Sequence, residues 1–448
     1  MKSHSIVRCL LPSFIPLFFG AAFAHADNWP QWRGPTLDGI SKESNLPTEW
    51  SREKNIAWTL PMPGMGGSTP VVWGERIFLT SEDGKDLVLL CVSTQGKELW
   101  KRKVGSAVAT SGAGRRGGRG GARQAPGGVA RLGPGGEGNL ASASPSTDGK
   151  HVFVFFGTGD FACFDFEGNE IWKFNAEERY GKFDIQHGMH VTPLLHGDRL
   201  YLSLLHARGH WVIALDKTTG KEVWKVKRES DAVQECTQSY ASPILWHNDK
   251  DEYLVVHGND YATAHRLSDG SEIWRLGDLN PEANYNQTLR FVATPLATPD
   301  LIVVPTAKGG PVVGVKPNAT GLIRTGGAGE QWRMPRNTPD VPSPLVYEGL
   351  VYLCRERGDL ICLDASTGKQ LYSEKTQNTI HRASPVYADG KIYLTARNGT
   401  VTVVKPGPKF TVLATNKLPD DISASPVIAN GRIYLRGWKA LYAISQDR

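Results

Sequence analysis

Short apolar runs separated by turn residues recur along the whole chain. They are rich in β-branched and aromatic side chains, a composition typical of strands. Examples are RIFLT at residues 76–80, RLYLS at 199–203, LVYLC at 350–354, KIYLT at 391–395 and RIYLR at 432–436. Stretches with helical periodicity are scarce, and 49 glycines and 28 prolines supply the turns. The pattern therefore predicts an all-β protein.

The stretch ALDKTTGKEVW at residues 214–224 contains the repeating unit. It predicts a strand over 210–215, a tight turn closed by Gly220, and a second strand that carries Trp224. The glycine supplies a positive φ, and the small Ala214 leaves room for an indole against the sheet. Because one four-stranded sheet cannot hide both faces, we expect the indole to lie between successive sheets. Counterparts of Trp224 are Trp58, Trp100, Trp172, Trp274 and Trp332, and counterparts of Ala214 are Cys91, Cys163, Cys362 and Ala443.

Each repeat opens with Ser or Thr followed by Pro. Proline at the first position of a strand loses no ladder hydrogen bond, so each pair predicts the start of the first strand of a sheet. The pairs are Thr69-Pro70, Ser144-Pro145, Thr192-Pro193, Ser242-Pro243, Thr294-Pro295, Ser343-Pro344, Ser384-Pro385 and Ser425-Pro426. They predict an eight-bladed β-propeller with tryptophan-docking motifs. The last repeat stops after its third strand, so we expect residues 55–60 to supply the fourth and close the ring.

The stretch at residues 214–224 resembles the tryptophan-docking motif of the quinoprotein (PQQ-repeat) propellers: Ala, any residue, Asp, three residues, Gly-Lys-Glu, any residue, Trp. Looser copies are STQGKELW at 93–100 and DASTGKQLY at 364–372, where Tyr372 replaces the Trp. The opening segment at 28–51 is similar to the start of secreted PQQ-like propellers abundant in planctomycete bacteria, and the chain also resembles the BamB-like outer-membrane assembly propellers. The resemblance covers essentially all of 27–448 and implies a fold rather than an activity.

Residues 1–26 have the pattern of a secretory signal peptide: basic Lys2 and Arg8, an apolar run, and Ala-His-Ala at the expected cleavage site. We expect an exported protein, periplasmic or extracellular, with residues 27–448 forming one propeller and no membrane span. Residues 104–143 form a Gly/Arg-rich insertion between blades one and two that we expect to be disordered. The insertion and the signal account for the formal net charge of +6, so the propeller body is about neutral and predicts no nucleic-acid partner.

The connections that lead from one blade to the next are long between blades one and five, and we expect all of them to emerge on one face. Loops carried on a rigid scaffold commonly bear function, so this face is the expected binding surface. Polar residues just before the first strands are candidates to converge at the central channel and bind a polar or anionic ligand; the alternative is that they only seal the channel with hydrogen bonds. The candidates are His187, His190, Glu235, Gln238, Tyr240, Asn286, Arg290, His381 and Arg382.

The resemblance to quinoproteins raises the question of a cofactor. In that family the quinone typically lies between a Trp and a disulfide of adjacent cysteines, beside a Ca²⁺ bound by Glu, Asn and Asp. This sequence has no adjacent cysteines, and His187 and His190 lack a third metal ligand fixed by spacing. The residues therefore predict no metal site and do not support PQQ or Ca²⁺ as a cofactor.

Two function classes remain open. The first, which the sequence favours, is a monomeric binding or scaffolding module for an unidentified protein or small polar ligand. The alternative is a divergent PQQ-dependent oxidoreductase.

Overall fold

Repeated antiparallel hairpins build the chain into eight sheets. The computed structural model of the protein describes residues 28–107 and 139–446. The first strand, β1 (Ile56–Pro61), belongs to the last sheet. Blades one to four then follow in order. Their strands are β2 (Val71–Trp73), β3 (Arg76–Asp83), β4 (Asp86–Ser93), β5 (Glu98–Ser106); β6 (Ser146–Thr147), β7 (His151–Phe155), β8 (Asp160–Asp165), β9 (Glu170–Asn175); β10 (Leu194–His196), β11 (Arg199–His206), β12 (Gly209–Asp216), β13 (Glu222–Lys227); β14 (Ile244–His247), β15 (Glu252–Gly258), β16 (Tyr261–His265) and β17 (Glu272–Leu276).

Blades five to eight repeat the same order. Their strands are β18 (Leu296–Thr298), β19 (Leu301–Val304), β20 (Val312–Val315), β22 (Glu330–Met334); β23 (Leu345–Tyr347), β24 (Leu350–Cys354), β25 (Asp359–Asp364), β26 (Gln370–Lys375); β27 (Val386–Ala388), β28 (Lys391–Thr395), β29 (Thr400–Val404), β30 (Val412–Lys417); β31 (Val427–Ala429), β32 (Arg432–Arg436) and β33 (Ala440–Ile444). An extra strand, β21 (Gly321–Ile323), adds in parallel to β17. The described residues also contain one short α-helix, α1 (Ala176–Tyr180), and two 3-10 turns, Gln234–Thr237 and Glu282–Asn284. The all-β, eight-bladed propeller is confirmed.

The Ser/Thr-Pro pairs stand where the sequence predicts, because every first strand begins directly after its proline. Their hydroxyls have a further role that the sequence pattern did not indicate. The backbone N–H of each Ser or Thr donates to the hydroxyl oxygen of the equivalent residue in the next blade, at 2.9–3.2 Å. Eight such bonds form a closed ring around the channel, and all eight residues are buried.

The two ends of the chain share the eighth blade, as predicted. Strand β1 pairs antiparallel with β33, and Trp58 lies opposite Ala443. The pairing runs from Ile56 to Pro61 with one irregularity between Ile56 and Trp58, and it covers the open edge of β33. The ring is therefore closed by the chain's own N-terminal strand.

Five of the six tryptophans share one docking geometry. Trp224 lies opposite Ala214 in its own sheet, and its Nε1 donates to Leu267 O of the next blade at 2.9 Å. Gly270 of that blade has φ +76°, and a Cβ there would come within 2.7 Å of the indole. The same bond to a turn carbonyl of the next blade forms at Trp58, Trp100, Trp172 and Trp332.

The interface between blades four and five departs from this geometry. Trp274 lies opposite Ala264, but its buried Nε1 has no hydrogen-bond partner among the described residues. The reason is that blade five replaces the tight glycine turn with a longer connection containing β21. In blade six Tyr372 lies opposite Cys362, and in blade seven Ala414 occupies the docking position.

The five cysteines of the described residues are buried and free.

The segment before β1 covers the end of the channel where the hairpin turns lie. Trp29 exchanges backbone hydrogen bonds with Val72 of blade one, and the Gln31 amide exchanges two with the backbone of Leu195 in blade three. Arg33 is buried and donates to the carbonyl oxygens of Pro344 and Pro385, in front of blades six and seven, at 2.8 and 2.9 Å. One short segment thus ties together blades on opposite sides of the ring.

Two predicted segments fall wholly or partly outside the described residues. The signal peptide at 1–26 lies outside them, as does the central part of the insertion, residues 108–138. The flanks of the predicted 104–143 insertion belong to the fold: Val104 lies in β5, and Val104, Ala107, Ala141 and Ala143 are buried. The glycine-rich composition that marks the insertion begins only beyond these apolar residues.

Candidate functional site

The connections between blades and the loops between second and third strands emerge at one end of the propeller, since neighbouring strands in each blade are antiparallel. This open end lies opposite the end covered by the N-terminal segment. All nine candidate residues lie in the blade-to-blade connections 176–191, 228–241, 277–293 and 376–383.

A first group joins the connections that precede blades three and four. The backbone N–H of His187 donates to the Tyr240 hydroxyl at 3.3 Å, and that hydroxyl donates to Gln238 Oε1 at 3.1 Å. Gln238 Oε1 also accepts from the N–H of Gln186 at 2.9 Å. The rings of His187 and His190 lie 5.9 and 6.0 Å from the Tyr240 ring. These contacts fix the first connection against the second.

His190 is a structural member of this group. Its Nε2 lies 2.5 Å from the carbonyl oxygen of His187, and burial lowers its pKa to about 4. The ring is therefore neutral at physiological pH, so Nε2 is the protonated nitrogen that donates to this carbonyl. Burial also raises the pKa of the Tyr240 hydroxyl, which stays protonated.

A second group carries the charge. Arg290 NH1 donates to Glu235 Oε2 at 2.9 Å, and Lys308 Nζ lies 3.9 Å from the same oxygen. Lys308 Nζ also donates to Thr288 Oγ1 at 2.7 Å. All three charged side chains are a quarter to a third exposed. A second carboxylate, Asp340, accepts from the backbone N–H of Lys308 at 3.2 Å, so the group contains two cations and two carboxylates.

The two groups and Arg382 lie close enough to interact electrostatically. The pKa of His187 is lowered, first by burial and then by the positive charges of Arg290, Arg382 and Lys308, with Glu235 acting in the opposite direction. Arg382 donates to Glu356 Oε1 at 2.7 Å. The arrangement therefore presents a neutral imidazole and a phenol beside three cations that are a quarter to a third exposed, which suits an anionic or polar group.

Two candidates do not join this arrangement. The Asn286 side chain accepts from Thr288 N–H and Oγ1 and so shapes its own loop. His381 is buried, with its Nδ1 3.2 Å from the carbonyl oxygen of Thr379, and its ring packs so closely on Gly358 that a Cβ there would come within 3.0 Å of it. Sequence position places both residues in the right loops, but their side chains pack within the loops.

Lys308 and Glu356 belong to the arrangement, although the sequence analysis did not single them out. Both lie in loops between second and third strands, in blades five and six. Because neighbouring strands are antiparallel, those loops lie at the same end as the blade-to-blade connections. The predicted strand order alone could therefore have added both residues to the candidates.

The residues at the open end do not fit a quinone site of the family type. The sequence has no adjacent cysteines, and Glu235 is already bound to Arg290. No group of three or more His, Cys, Asp or Glu side chains arranged to hold a metal ion occurs in residues 28–107 and 139–446. In the same ranges no helix has the length and apolar character needed to cross a membrane.

Comparison with known proteins gives one family and a common fold. The family model described as outer membrane protein assembly factor BamB matches residues 85–299 and 319–406. No curated protein matches the sequence. The structure of BamB from Moraxella catarrhalis is similar at 12% identity, covering 87% of this chain and 99% of that one, with a TM-score of 0.59.

Quinoprotein enzymes share the same architecture. The quinohemoprotein alcohol dehydrogenase of Comamonas testosteroni is 11% identical and covers 94% of this chain and 81% of its own, with a TM-score of 0.67. A europium-containing methanol dehydrogenase is 13% identical and covers 92% of this chain and 90% of its own, with a TM-score of 0.64. At such identities the likeness establishes the fold alone.

Proposed function

This chain belongs to the family described as outer membrane protein assembly factor BamB, and from that premise we propose that it is an exported binding or scaffolding module. Its ligand or partner surface is the open end of the propeller, where the long connections lie. It acts in the periplasm or outside the cell, as the secreted propellers that it resembles do. The partner is a protein or a small polar ligand.

The observation that carries the proposal is the convergence at the open end. Two consecutive connections bring Tyr240, Gln238 and the ion pair of Glu235 with Arg290 together, and hydrogen bonds from Gln186 and His187 tie the preceding connection to them. Pre-organised polar groups lose little freedom on binding, which favours affinity. Beside them Val233 is 47% exposed, an apolar contact at the rim of the same face. The opposite end is covered by the N-terminal segment, where Gln31 and Arg33 donate to backbone carbonyl oxygens of the blades.

The alternative, a divergent PQQ-dependent oxidoreductase, draws support from the quinoprotein neighbours in fold. The site residues argue against it. Glu235 and Glu356 are each paired with an arginine, and the described residues contain no group of three or more His, Cys, Asp or Glu side chains that could hold a metal ion. The binding module is the function that these side chains support best.

Site-specific photo-cross-linking tests the proposal. A benzophenone amino acid replaces Val233 at the open end or, as the control, Val412 on the outer strand β30, which is 44% exposed. Cells that export each variant are irradiated. We expect a discrete cross-linked product at position 233 that excess unmodified protein competes away, and no such product at 412. Equal labelling at both positions, or labelling at 412 alone, would place the binding surface elsewhere.

A further inference from the structure

A second feature of the open end lies on the side of blades six to eight. Loops from these blades are joined to one another in series by backbone hydrogen bonds, forming a continuous ridge that we call the basic arc (residues 355–358, 376–383, 396–399, 418–424 and 437–440). The bonds run from His381 N to Glu356 O at 2.7 Å, Arg397 N to Ile380 O at 2.8 Å, Ile422 N to Arg397 O at 2.7 Å and Trp438 N to Asp421 O at 2.8 Å.

The basic arc carries surplus positive charge. Among its acidic residues, Glu356 pairs with Arg382, and the buried Asp420 accepts hydrogen bonds from the backbone N–H groups of Lys439 and Ala440. Arg357 and Lys439 are exposed, and neither forms an ion pair with another described residue. The five basic side chains of the ridge thus outnumber its three acidic ones, Glu356, Asp420 and Asp421, and Arg357 and Lys439 face solvent.

Apolar surface accompanies this charge. Ile380 is 36% exposed in the middle of the basic arc. The Arg397 guanidinium lies 4.7 Å from the centre of the Trp438 ring, a cation–π contact that holds both side chains in place. Cations interleaved with exposed aliphatic and aromatic groups match a peptide that bears both carboxylates and apolar side chains.

We propose that the basic arc is a docking surface for an acidic, extended segment of a partner protein. The inference rests on the proposed function, in that the open end is the binding face, and it names the chemistry of the partner. Partner carboxylates pair with Arg357 and Lys439, and partner apolar side chains contact Ile380 and Trp438. A protein segment fits better than a polyphosphate backbone for two reasons. The carboxylates of Glu356 and Asp421 interrupt the row of cations and would repel phosphates, and a polyphosphate has no apolar groups to contact Ile380 and Trp438.

The test measures binding of a fluorescein-labelled synthetic peptide of glutamate and leucine by fluorescence anisotropy. The variant Arg357→Glu/Lys439→Glu reverses two charges of the basic arc. The control Lys250→Glu/Lys369→Glu makes the same change in net charge at exposed hairpin turns of the covered end. Reversing rim charges should weaken binding about tenfold at low salt, while the control stays close to the parent protein. Melting curves show that each variant is folded.

Three outcomes overturn the inference: the peptide fails to bind the parent protein, both variants weaken binding equally, or double-stranded DNA or polyphosphate binds more tightly than the peptide and displaces it. These failures are distinguishable from a failure of the proposed function. A specific cross-link at position 233 together with no peptide binding would refute only the proposal that the partner segment is acidic. Absence of that cross-link would refute the proposal that the open end is the binding face.

Discussion

The backbone N–H of Ser425 donates to Oγ1 of Thr69 at 3.2 Å, across a sequence separation of 356 residues. This bond joins the first strand of blade eight to that of blade one and completes the ring of eight hydroxyls. It lies at the same junction as the β1–β33 pairing, so the propeller is closed twice, once at the channel and once at its outer edge. A closed ring holds the loops of the open end in fixed relative positions.

Replacing Thr69 by Val tests the contribution of the inner closure. Val has the shape of Thr but no hydroxyl, so the buried N–H of Ser425 loses its acceptor, at a cost of about 1–3 kcal/mol. Thr69→Ser keeps the acceptor and should stay near the parent value. Urea titration measures both. Equal stability of the Val and Ser variants would show that the ring does not contribute.

Trp224→Ala tests the docking geometry. The indole contacts Gly270 of the next blade and donates to Leu267 O, so we expect a loss of about 3 kcal/mol, at the low end for buried aromatic truncations because the ring is partly exposed. The control is Leu413→Ala, since Leu413 is 40% exposed on an outer strand. A loss below about 1 kcal/mol for Trp224→Ala, within the range of ordinary surface substitutions, would rule out a docking role.

Arg33→Leu tests the covered end of the channel. Burial lowers the pKa of Arg33 to about 10, so the side chain is still charged at neutral pH, and it donates to three carbonyl oxygens. Leucine leaves those acceptors unsatisfied, and we expect a loss of about 1–3 kcal/mol in denaturant titration. Arg52→Leu, at an exposed position later in the segment before β1, is the control. Equal effects of the two variants would mean that the segment does not brace the ring.

Four histidines predict acid sensitivity. Burial lowers the pKa of His190, His206 and His265 to about 4 and that of His257 to about 3. In the unfolded chain a histidine titrates near 6.5, so the unfolded state takes up protons first as the pH falls. The stabilising contribution is complete above about pH 6.5 and is lost progressively down to about pH 4. His257→Phe, whose ring can still stack on Phe291, should reduce the fall in stability between pH 7 and pH 5. An unchanged slope would contradict the assignment.

The sequence predicts the fold well because its signals are local. A proline can stand at the start of a strand without losing a ladder bond, and a glycine turn accommodates an indole wherever the motif occurs. The ring of hydroxyls and the role of Arg33 were missed because they depend on contacts between different blades, up to 356 positions apart in the chain. At the open end, Tyr240 and Arg290 were identified because they stand just before first strands in the sequence. That position does not determine where a side chain points, so the same criterion also selected Asn286 and His381, whose side chains pack within their own loops.

The central claim is that the open end binds a partner and is not a quinone-dependent catalytic site. The most direct measurement supplies the purified protein with PQQ and Ca²⁺, then records quinone absorbance after gel filtration and dye reduction with a panel of alcohols and aldoses. We expect the quinone to elute apart from the protein and no dye to be reduced, because the residues that would hold the ring are missing. Stoichiometric retention of quinone, with turnover that disappears in Glu235→Ala, would contradict it.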